Sequence, residues 1–457
     1  MADKVISFTD TIVSLFENKK FSTLKDVLVT LTPPDLASLF EELPEESLPL
    51  LFRLLPKEKA ADTFVEMDSD VQEMLIKGFS DSELKAVIDE LYIDDAVDIV
   101  EEMPANVVSR ILQQADSETR RMINEILKYP EDSAGSIMTP EYVYLSPKMT
   151  AEQAIASVRK TGVDKETINT CYVTDSSRHL IGIVPIRSLI LAKDDMLVEN
   201  LMETNVISVT TLDDKEHVAQ MFSKYSFIAM PVVDGENRLV GIVTVDDAIE
   251  VLQDEATEDI EIMAAIVPSE KPYLKQSVFD IWKSRFPWLA LLMISATFTG
   301  IIITSFEAKL AVIPLLTAFI PMIMDTGGNS GGQASVTIIR GISLGDIQFK
   351  DIFRVMWKEF RVSIICGITL SAVALAKVWL VDFLIMGSEI TWPIAIVVSA
   401  SLALTVVLAK FIGCALPMLA KTVGFDPAVM ASPLITTIVD AVALLIYFGL
   451  VTLVIGL

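Results

Sequence analysis

SPLITTIVD, residues 432–440, places an acidic side chain deep in the last apolar stretch of the chain. An ionised Asp at mid-bilayer costs about 2.5–3.5 kcal/mol on insertion scales, so Asp440 needs a counter-charge or a wet surrounding. Thr436 shares a helical face with Asp440, and Thr437 lies beside it at three residues' distance. Pro433 frees a backbone carbonyl one turn away. The segment predicts an oxygen-lined cation surface, unless Asp440 pairs with a basic residue of a neighbouring span.

Apolar stretches long enough to cross a bilayer, about 20 residues each, follow Phe286. We predict five spans, at roughly 286–306, 312–340, 357–381, 391–419 and 428–455. Basic residues collect before the first span, after the second and after the fourth, which marks those sides as cytoplasmic. The N-terminus is therefore predicted to be cytoplasmic, and the C-terminus to lie on the opposite side of the cell (inner) membrane.

The charge of the chain is divided unevenly. From Lys283 onward there are 11 basic and 9 acidic residues, so 25 of the 36 basic and 53 of the 62 acidic residues precede it, a net charge of −28. A strongly acidic soluble part argues against nucleic acid, whose binders use Lys and Arg to replace phosphate counterions. It suits cations, although an acidic surface also serves solubility.

Residues 1–130 carry helix-start signals about every 12 residues. Each start combines a Pro or a capping side chain with acids in the first turn, as at Thr32-Pro33-Pro34-Asp35 and Ser80-Asp81-Ser82-Glu83. Apolar stripes separate the starts. This pattern predicts an all-α, solenoid-like N-domain of short stacked helices.

Residues 131–250 contain a longer repeat, in which the segment 136–140 recurs at 200–204 and the segment 180–184 recurs at 239–243. Each copy predicts a strand, a helix, an apolar strand, a turn, a strand and a closing helix. The alternation of helices and strands indicates α/β packing.

These copies resemble a tandem pair of CBS domains, which usually act as regulatory modules. The residues that carry the resemblance are Met-Thr-Pro at 138–140, Met-Pro-Val-Val-Asp at 230–234 and Gly-Ile-Val-Thr-Val-Asp-Asp at 241–247. In nucleotide-binding CBS pairs the closing Thr and Asp hold phosphate and ribose, and here they are Thr244 and Asp247. The first copy has Pro185 and Ser188 at those places. The resemblance therefore implies at most one site, for ATP or a similar adenine nucleotide.

Residues 251–280 link this repeat to the membrane part. Acidic side chains fall there on helical spacing: Glu250, Asp254, Glu255, Glu258, Asp259 and Glu261. We expect either a solvated connecting helix or a moving element.

MDTGGNSGGQ, residues 324–333, interrupts the second span with four glycines. Each glycine weakens a helix by about 1 kcal/mol relative to Ala. Broken backbone at membrane depth is tolerated only where it is buried in protein or lines a water-filled cavity. We therefore expect a break that offers carbonyls and amides to ions, or close helix packing through small residues.

Gly-Gly-Asn-x-Gly-x-Gln in the second span and Pro-x-x-Thr-Thr-x-x-Asp in the fifth, after a helical domain and paired CBS repeats, resemble the MgtE family of magnesium channels. The resemblance covers nearly the full length. It implies a multidomain membrane protein with an N-domain (1–130), a CBS pair (131–250), a linking plug helix (251–280) and a five-helix pore domain (281–457). It also implies a homodimer with the pore on its two-fold axis.

Site residues follow from the same resemblance. Asp440 is the expected pore carboxylate, with Thr436, Thr437, Gly328 and Asn329 around the ion. The acids of the soluble region match the part of the family that binds regulatory Mg²⁺. The candidates are Asp94, Asp95, Asp98, Asp246, Asp247, Glu250, Glu255, Glu258, Asp259 and, facing the plug helix, Asp426.

The sequence therefore predicts an Mg²⁺ channel for magnesium uptake, gated by intracellular Mg²⁺. A proton- or Na⁺-coupled exchanger of divalent cations is the alternative. An intramembrane metalloprotease with CBS domains would need a His-Glu-x-x-His helix, and neither His179 nor His217 lies in a span. We therefore expect no enzyme activity.

Overall fold

The computed structural model describes residues 2–269, 271, 273–388 and 390–456, with the side chains of residues 2–8 and of Ser432 excepted. The chain divides into two compact units, Met1–Leu252 and Gln253–Leu457, here called the first and the second unit.

Ten short helices, within the described residues, form the start of the first unit. They are α1 (Ala2–Glu17), α2 (Phe21–Leu28), α3 (Pro33–Glu41), α4 (Leu48–Phe52), α5 (Lys57–Val65), α6 (Ser69–Gly78), α7 (Asp81–Ile88), α8 (Ile93–Glu102), α9 (Ala105–Gln114) and α10 (Ser117–Ile126). The predicted caps are present where Ser80 and Glu83 form a reciprocal capping box and where Asp116 accepts from the next turn. One apolar core that includes Leu36 and Val97 joins these helices, and the predicted all-α N-domain is confirmed.

Two small sheets follow, each with one parallel and one antiparallel pair of strands. The first contains β1 (Tyr142–Leu145), β2 (Thr167–Thr174) and β3 (Leu180–Pro185), with α11 (Ala151–Thr161) and α12 (Ile186–Leu191). The second contains β4 (Val209–Thr210), β5 (Ala229–Val233) and β6 (Leu239–Thr244), with α13 (Lys215–Tyr225) and α14 (Val245–Met263). Corresponding registers, Tyr172 opposite Ile183 and Pro231 opposite Ile242, confirm the α/β tandem repeat.

The linking helix differs from the predicted range of 251–280. It is α14, which starts at Val245 directly after the last strand and ends at Met263. Asp246 and Asp247 lie in its first turn, where acids complement the helix dipole and favour an early start. The closing helix of the repeat and the link are therefore one continuous element.

Five long helices, with a short one after the first, make up the rest of the second unit in the described chain. They are α15 (Val278–Ser305), α16 (Glu307–Val312), α17 (Ile320–Ser343), α18 (Ile352–Lys377), α19 (Trp392–Val423) and α20 (Ser432–Leu450). The last turns of the third and fifth long helices continue as π-helix, Val378–Ile385 and Val451–Ile455.

Four of these helices, in the part of the chain that the structure describes, are long and apolar enough to cross a membrane: those within Val278–Ser305, Phe349–Ile385, Trp392–Val423 and Pro427–Ile455. The second predicted span corresponds to α17. Its 24 residues would extend about 36 Å, enough for the hydrocarbon core, but its glycines and polar side chains make it less apolar than the others.

Candidate functional site

The glycine-rich segment of α17 is helical throughout, so the expected break between Gly327 and Gln333 is wrong. Its glycines instead let neighbouring helices approach. A Cβ at Gly327 would lie 2.6 Å from a methyl group of Thr405, and one at Gly331 would lie 3.1 Å from the carbonyl oxygen of Ala409. Close packing compensates for the low helix propensity of glycine, and the small-residue alternative is the one that holds.

The tightest approach joins α17 to α19. A Cβ at Gly413 would collide with the carbonyl oxygen of Gly331 and lie 3.0 Å from its carbon. Both groups are backbone and cannot turn away as a side chain can.

Gly413→Ala is therefore expected to lower the thermal stability of the purified protein, because overpacking costs about 1–3 kcal/mol and here pushes two helices apart. Gly300→Ala in α15 is the matched control, since nothing lies within 4 Å of a Cβ at that position. Differential scanning fluorimetry in detergent compares the two. Equal melting temperatures for both variants would show that the α17–α19 contact is not close.

One face of α17 presents exposed polar side chains. Asp325, Asn329 and Gln333 recur every four residues and all three are exposed, while the four glycines of the same segment are buried. Gly328 contacts the Thr436 side chain of α20, so the two predicted pore motifs meet. We call Asp325, Asn329, Gln333, Thr436 and Asp440 the polar strip.

Asp440 lies half-buried on α20, with Asp325 of α17 within electrostatic range. The hydroxyls of Thr436 and Thr437 each donate to the carbonyl oxygen of Pro433 at 3.1 Å. This carbonyl belongs to Pro433 itself, whereas the one left free by the missing proline N–H lies four residues earlier in the chain. The Thr437 hydroxyl oxygen still has lone pairs for a water molecule.

The lysines at membrane depth are engaged elsewhere in the described chain. Lys377 pairs with Asp382 at 2.8 Å, and Lys410 lies 3.8 Å from Glu359. Lys410 does not extend to the membrane surface, because its side chain is only 8% exposed. Burial requires a partner for its charge, and Glu359 supplies it. The alternative for Asp440 was an ion pair with a basic residue of a neighbouring span. The two lysines that could have formed it are paired with other acids.

Six of the predicted regulatory acids lie in one part of the first unit: Asp94, Asp95, Asp98, Asp246, Asp247 and Glu250. Two further acids, Glu141 and Glu166, join them and were not predicted. The Glu141 carboxylate accepts from the Ile93 backbone N–H at 2.9 Å and so caps α8. We call these eight residues the acidic cluster.

Burial and mutual repulsion raise the pKa values within the acidic cluster. Burial and then the charge of Asp247 raise the pKa of Asp94 well above its usual range, and that of Asp95 to about 7. Burial and then Asp95 raise the pKa of Glu166 to about 8. Burial of its carboxyl group and then the charge of Asp247 also raise the pKa of Asp98, although part of the residue is exposed to water. One oxygen of Asp94 and one of Glu166 are buried without a hydrogen-bond partner.

The folded protein therefore holds protons that the unfolded chain releases, and stability should fall as pH rises from about 5 to 8. In EDTA we expect a lower melting temperature at pH 8 than at pH 6. The double variant Asp95→Asn, Glu166→Gln should flatten this slope, because two of the raised carboxyls are then absent. Thermal unfolding of both proteins checks it. A wild-type slope that survives in the double variant would contradict the assignment.

The acidic cluster fits a hydrated dication better than a stripped one. Within the described residues, no three His, Cys, Asp or Glu side chains converge into a ready-made metal shell. Mg²⁺ gives up its waters reluctantly and is often held through them. Orphaned, mutually repelling carboxylate oxygens are suited to such an ion.

The predicted nucleotide residues are hydrogen-bonded to each other. The Thr244 hydroxyl donates to the Asp247 carboxylate at 2.6 Å. Asp247 also stands in the field of Asp94, Asp95 and Asp98. A polyphosphate near this carboxylate would need cations to screen it.

The remaining regulatory candidates lie in the second unit. Asp259, on α14, accepts from the Ser343 hydroxyl of α17 at 3.0 Å, and the charge of Asp426 acts on it. Ile262 and Met263 pack against Ile339 nearby. The expected contact of the linking helix with the segment before α20 is therefore present, while Glu255, which is half-buried, and Glu258, which is exposed, lie in the preceding turn of α14.

Three family profiles match the chain in sequence order. The MgtE intracellular N domain matches residues 14–132, the CBS domain matches 134–195 and 198–254, and the MgtE divalent cation transporter matches 320–450. Among curated relatives, the magnesium transporter MgtE of Thermus thermophilus is 36% identical over 434 residues, 94% of each chain. That of Bacillus subtilis is 33% identical over 445 residues, 96% of each chain.

Two solved structures resemble the soluble part. The crystal structure of the cytosolic domain of the Mg²⁺ channel MgtE in complex with ATP has a TM-score of 0.51 at 35% identity, covering 53% of this chain and 99% of that one. The soluble part of a magnesium transporter has a TM-score of 0.52 at 30% identity, with coverage of 55% and 99%. The full-length relatives are transporters rather than enzymes, and so is this protein. By its motifs, its order of domains and these similarities, the chain belongs to the MgtE family of magnesium transporters.

Proposed function

We propose that the protein is an Mg²⁺ channel whose pore runs between two copies of the chain, along the polar strip. The observation that carries this proposal is the exposure of Asp325, Asn329 and Gln333 on a helix of membrane-spanning length. Polar groups cannot face lipid without a large cost, so this face needs water or a second subunit. A two-fold axis beside the strip provides both.

Asp440 supplies the charge in this pore. One Asp440 from each subunit matches the charge of a single dication, and without the ion two facing carboxylates would repel each other. Full dehydration of Mg²⁺ would raise a large barrier. The ion therefore passes largely hydrated, with Thr436, Thr437, Asn329 and the backbone at Gly328 bonding to its waters.

The acidic cluster is the proposed sensor, and cellular Mg²⁺ is its ligand. At low Mg²⁺ the carboxyl groups of the cluster that have lost their protons repel one another, and only near charges count because salt screens beyond about 8–10 Å. Hydrated Mg²⁺ between the carboxylates removes the repulsion and favours a closed arrangement. Linkage requires that the closed state bind the regulatory ions more tightly than the open one.

The linking helix is the proposed plug that carries this signal to the pore. Its Asp259 is held by Ser343 at the end of α17, and Asp426 stands close enough to repel it. Mg²⁺ near these two carboxylates, with Glu255 and Glu258 further along α14, would fix the plug in place. This contact is the physical link between sensing and closure.

ATP is a proposed ligand of the CBS pair, on the strength of Thr244 and Asp247 and of the ATP complex of a relative's cytosolic domain. Because Asp247 lies among other acids, we expect ATP to bind better in the presence of Mg²⁺. We also propose a homodimer, as the resemblance to the family implies. The basic residues beside the spans support a cytoplasmic N-terminus and a C-terminus on the other side of the inner membrane.

Flux in reconstituted vesicles distinguishes a channel from the coupled exchanger. Fluorescent detection of Mg²⁺ entry, with the membrane potential clamped, is measured with and without opposing proton and Na⁺ gradients. A channel gives the same initial rate in all conditions and follows the Mg²⁺ gradient alone. A rate that depends severalfold on either gradient would favour exchange.

A further inference from the structure

Two adjacent lines of exposed side chains mark the start of α18. Basic residues recur at intervals of four, four and three, and aromatic residues at four and three. Lys350 lies in the 3-10 turn Phe349–Asp351 directly before the helix, and within α18 each line follows one helical face. We call these seven residues the α18 stripe: Lys350, Arg354, Lys358 and Arg361 in the basic line, and Phe353, Trp357 and Phe360 in the aromatic line. Phe353 is 84% exposed and Trp357 is 60% exposed.

The length of α18 places this stripe at the edge of the bilayer. The helix has 26 residues, or about 39 Å at 1.5 Å per residue, whereas the hydrocarbon core is about 30 Å thick. No charged residue occurs from Val362 to Ala376. That uncharged part fills most of the core and leaves the stripe at the level of the headgroups.

The positive charge of the stripe has no internal match. Nearby acids are engaged, because Asp351 accepts from the Gln348 backbone and Glu359 faces Lys410. In the described part of the chain, none of the four basic side chains forms an ion pair. Basic residues at a helix start also oppose the helix dipole, so helix stability does not account for them.

The aromatic line specifies the kind of partner. Trp357 and Phe360 stack with ring centroids 5.7 Å apart, and they stay 60% and 41% exposed. Aromatic rings favour the boundary between headgroups and acyl chains, and clustered basic residues beside a span attract anionic lipid headgroups. An acidic protein surface would match the charges but would leave the rings in water.

We propose that the α18 stripe binds an anionic phospholipid, with the phosphate on the basic line and the glycerol region against the rings. Only the choice of leaflet, the cytoplasmic one, rests on the topology proposed above. The site is a lipid-binding surface separate from the polar strip. Its failure and that of the pore can be told apart, because lipid binding is measured without transport.

Trp357 itself reports on the site. The parent protein is the full-length chain in which the other four tryptophans, Trp282, Trp288, Trp379 and Trp392, are changed to Phe. The fluorescence of Trp357 is followed in phosphatidylcholine vesicles that contain a brominated quencher, either brominated phosphatidylglycerol or brominated phosphatidylcholine. We expect an apparent preference for phosphatidylglycerol of at least about fivefold, since one basic residue near an anionic surface contributes about that factor. In the triple variant Arg354→Gln, Lys358→Gln, Arg361→Gln, both brominated lipids should quench the fluorescence of Trp357 equally.

A variant that loses three exposed lysines of the first unit, Lys20→Gln, Lys25→Gln and Lys57→Gln, controls for net charge and should keep the preference. Native mass spectrometry of the wild-type chain and the triple variant, counting bound phosphatidylglycerol, repeats the test with the tryptophans intact. Equal quenching by both lipids in the parent protein, or a preference that survives the triple variant, overturns the proposal. A lack of quenching by either lipid in the parent protein would also overturn it and would point to a protein surface as the occupant.

Discussion

Asp440→Asn is expected to lower Mg²⁺ flux by about 100-fold, because losing a charge near a bound cation costs about 3 kcal/mol at protein-surface dielectric and 1.4 kcal/mol is a factor of ten. Asparagine keeps the size and an oxygen of the side chain, so the loss isolates the charge. Asp440→Glu keeps the charge and should retain a measurable part of the flux. The measurement is initial Mg²⁺ entry into vesicles that contain equal amounts of folded protein.

Asp346→Asn is the matched control, since it removes one charge from an exposed loop after α17 and should leave the flux unchanged. Asp325→Asn should fall between the two, because Asp325 shares the polar strip but lies on the other helix. Flux by Asp440→Asn within about threefold of wild type, too small for the loss of an ion-binding charge, would remove Asp440 from the pore.

The triple variant Asp94→Asn, Asp98→Asn, Asp247→Asn should conduct Mg²⁺ but no longer close at cellular concentrations. We expect the internal Mg²⁺ that halves the flux to rise more than about tenfold, a coupling of about 1.4 kcal/mol that lies within the usual allosteric range. The reason is that neutral side chains neither repel at low Mg²⁺ nor attract the ion at high Mg²⁺. Flux against internal Mg²⁺ gives the half-inhibitory concentration.

The control variant removes three exposed acids of the same unit that lie outside the acidic cluster, by the changes Glu45→Gln, Glu46→Gln and Glu118→Gln. Their response should match that of wild type. Limited proteolysis with rising Mg²⁺ gives an independent view, in which the wild-type soluble region becomes protected and the cluster variant does not. An unchanged half-inhibitory concentration in the cluster variant would place the sensor elsewhere.

Much of the fold could be predicted because its signals are local. Caps such as Ser80 and first-turn acids mark helix starts, and the recurrence of short motifs marks the two sheets. Boundaries that depend on continuity were harder. Val245–Met263 is one helix because no proline or glycine interrupts it, and the sequence offered no signal for a separate plug.

Contacts between distant segments were the part that the sequence could not supply. Glu141 and Glu166 have no helical spacing relative to Asp94, and only folding of the repeat brings them to α8. The pairing of Lys410 with Glu359 joins two spans and has no pattern along the chain. The glycines of α17 indicated either a break or close packing, and the choice depended on what faces Gly331.

Cysteine accessibility at Thr436 tests most directly whether an ion is held at Asp440 in a water-accessible path. In full-length protein with Cys171, Cys366 and Cys414 changed to Ala and with Thr436→Cys, a small charged methanethiosulfonate reagent is applied to reconstituted vesicles with and without millimolar Mg²⁺. The pore account predicts rapid labelling that Mg²⁺ slows and Na⁺ does not, and loss of this protection when Asp440→Asn is added. No labelling from water, or labelling indifferent to Mg²⁺ while Asp440 is present, would contradict it.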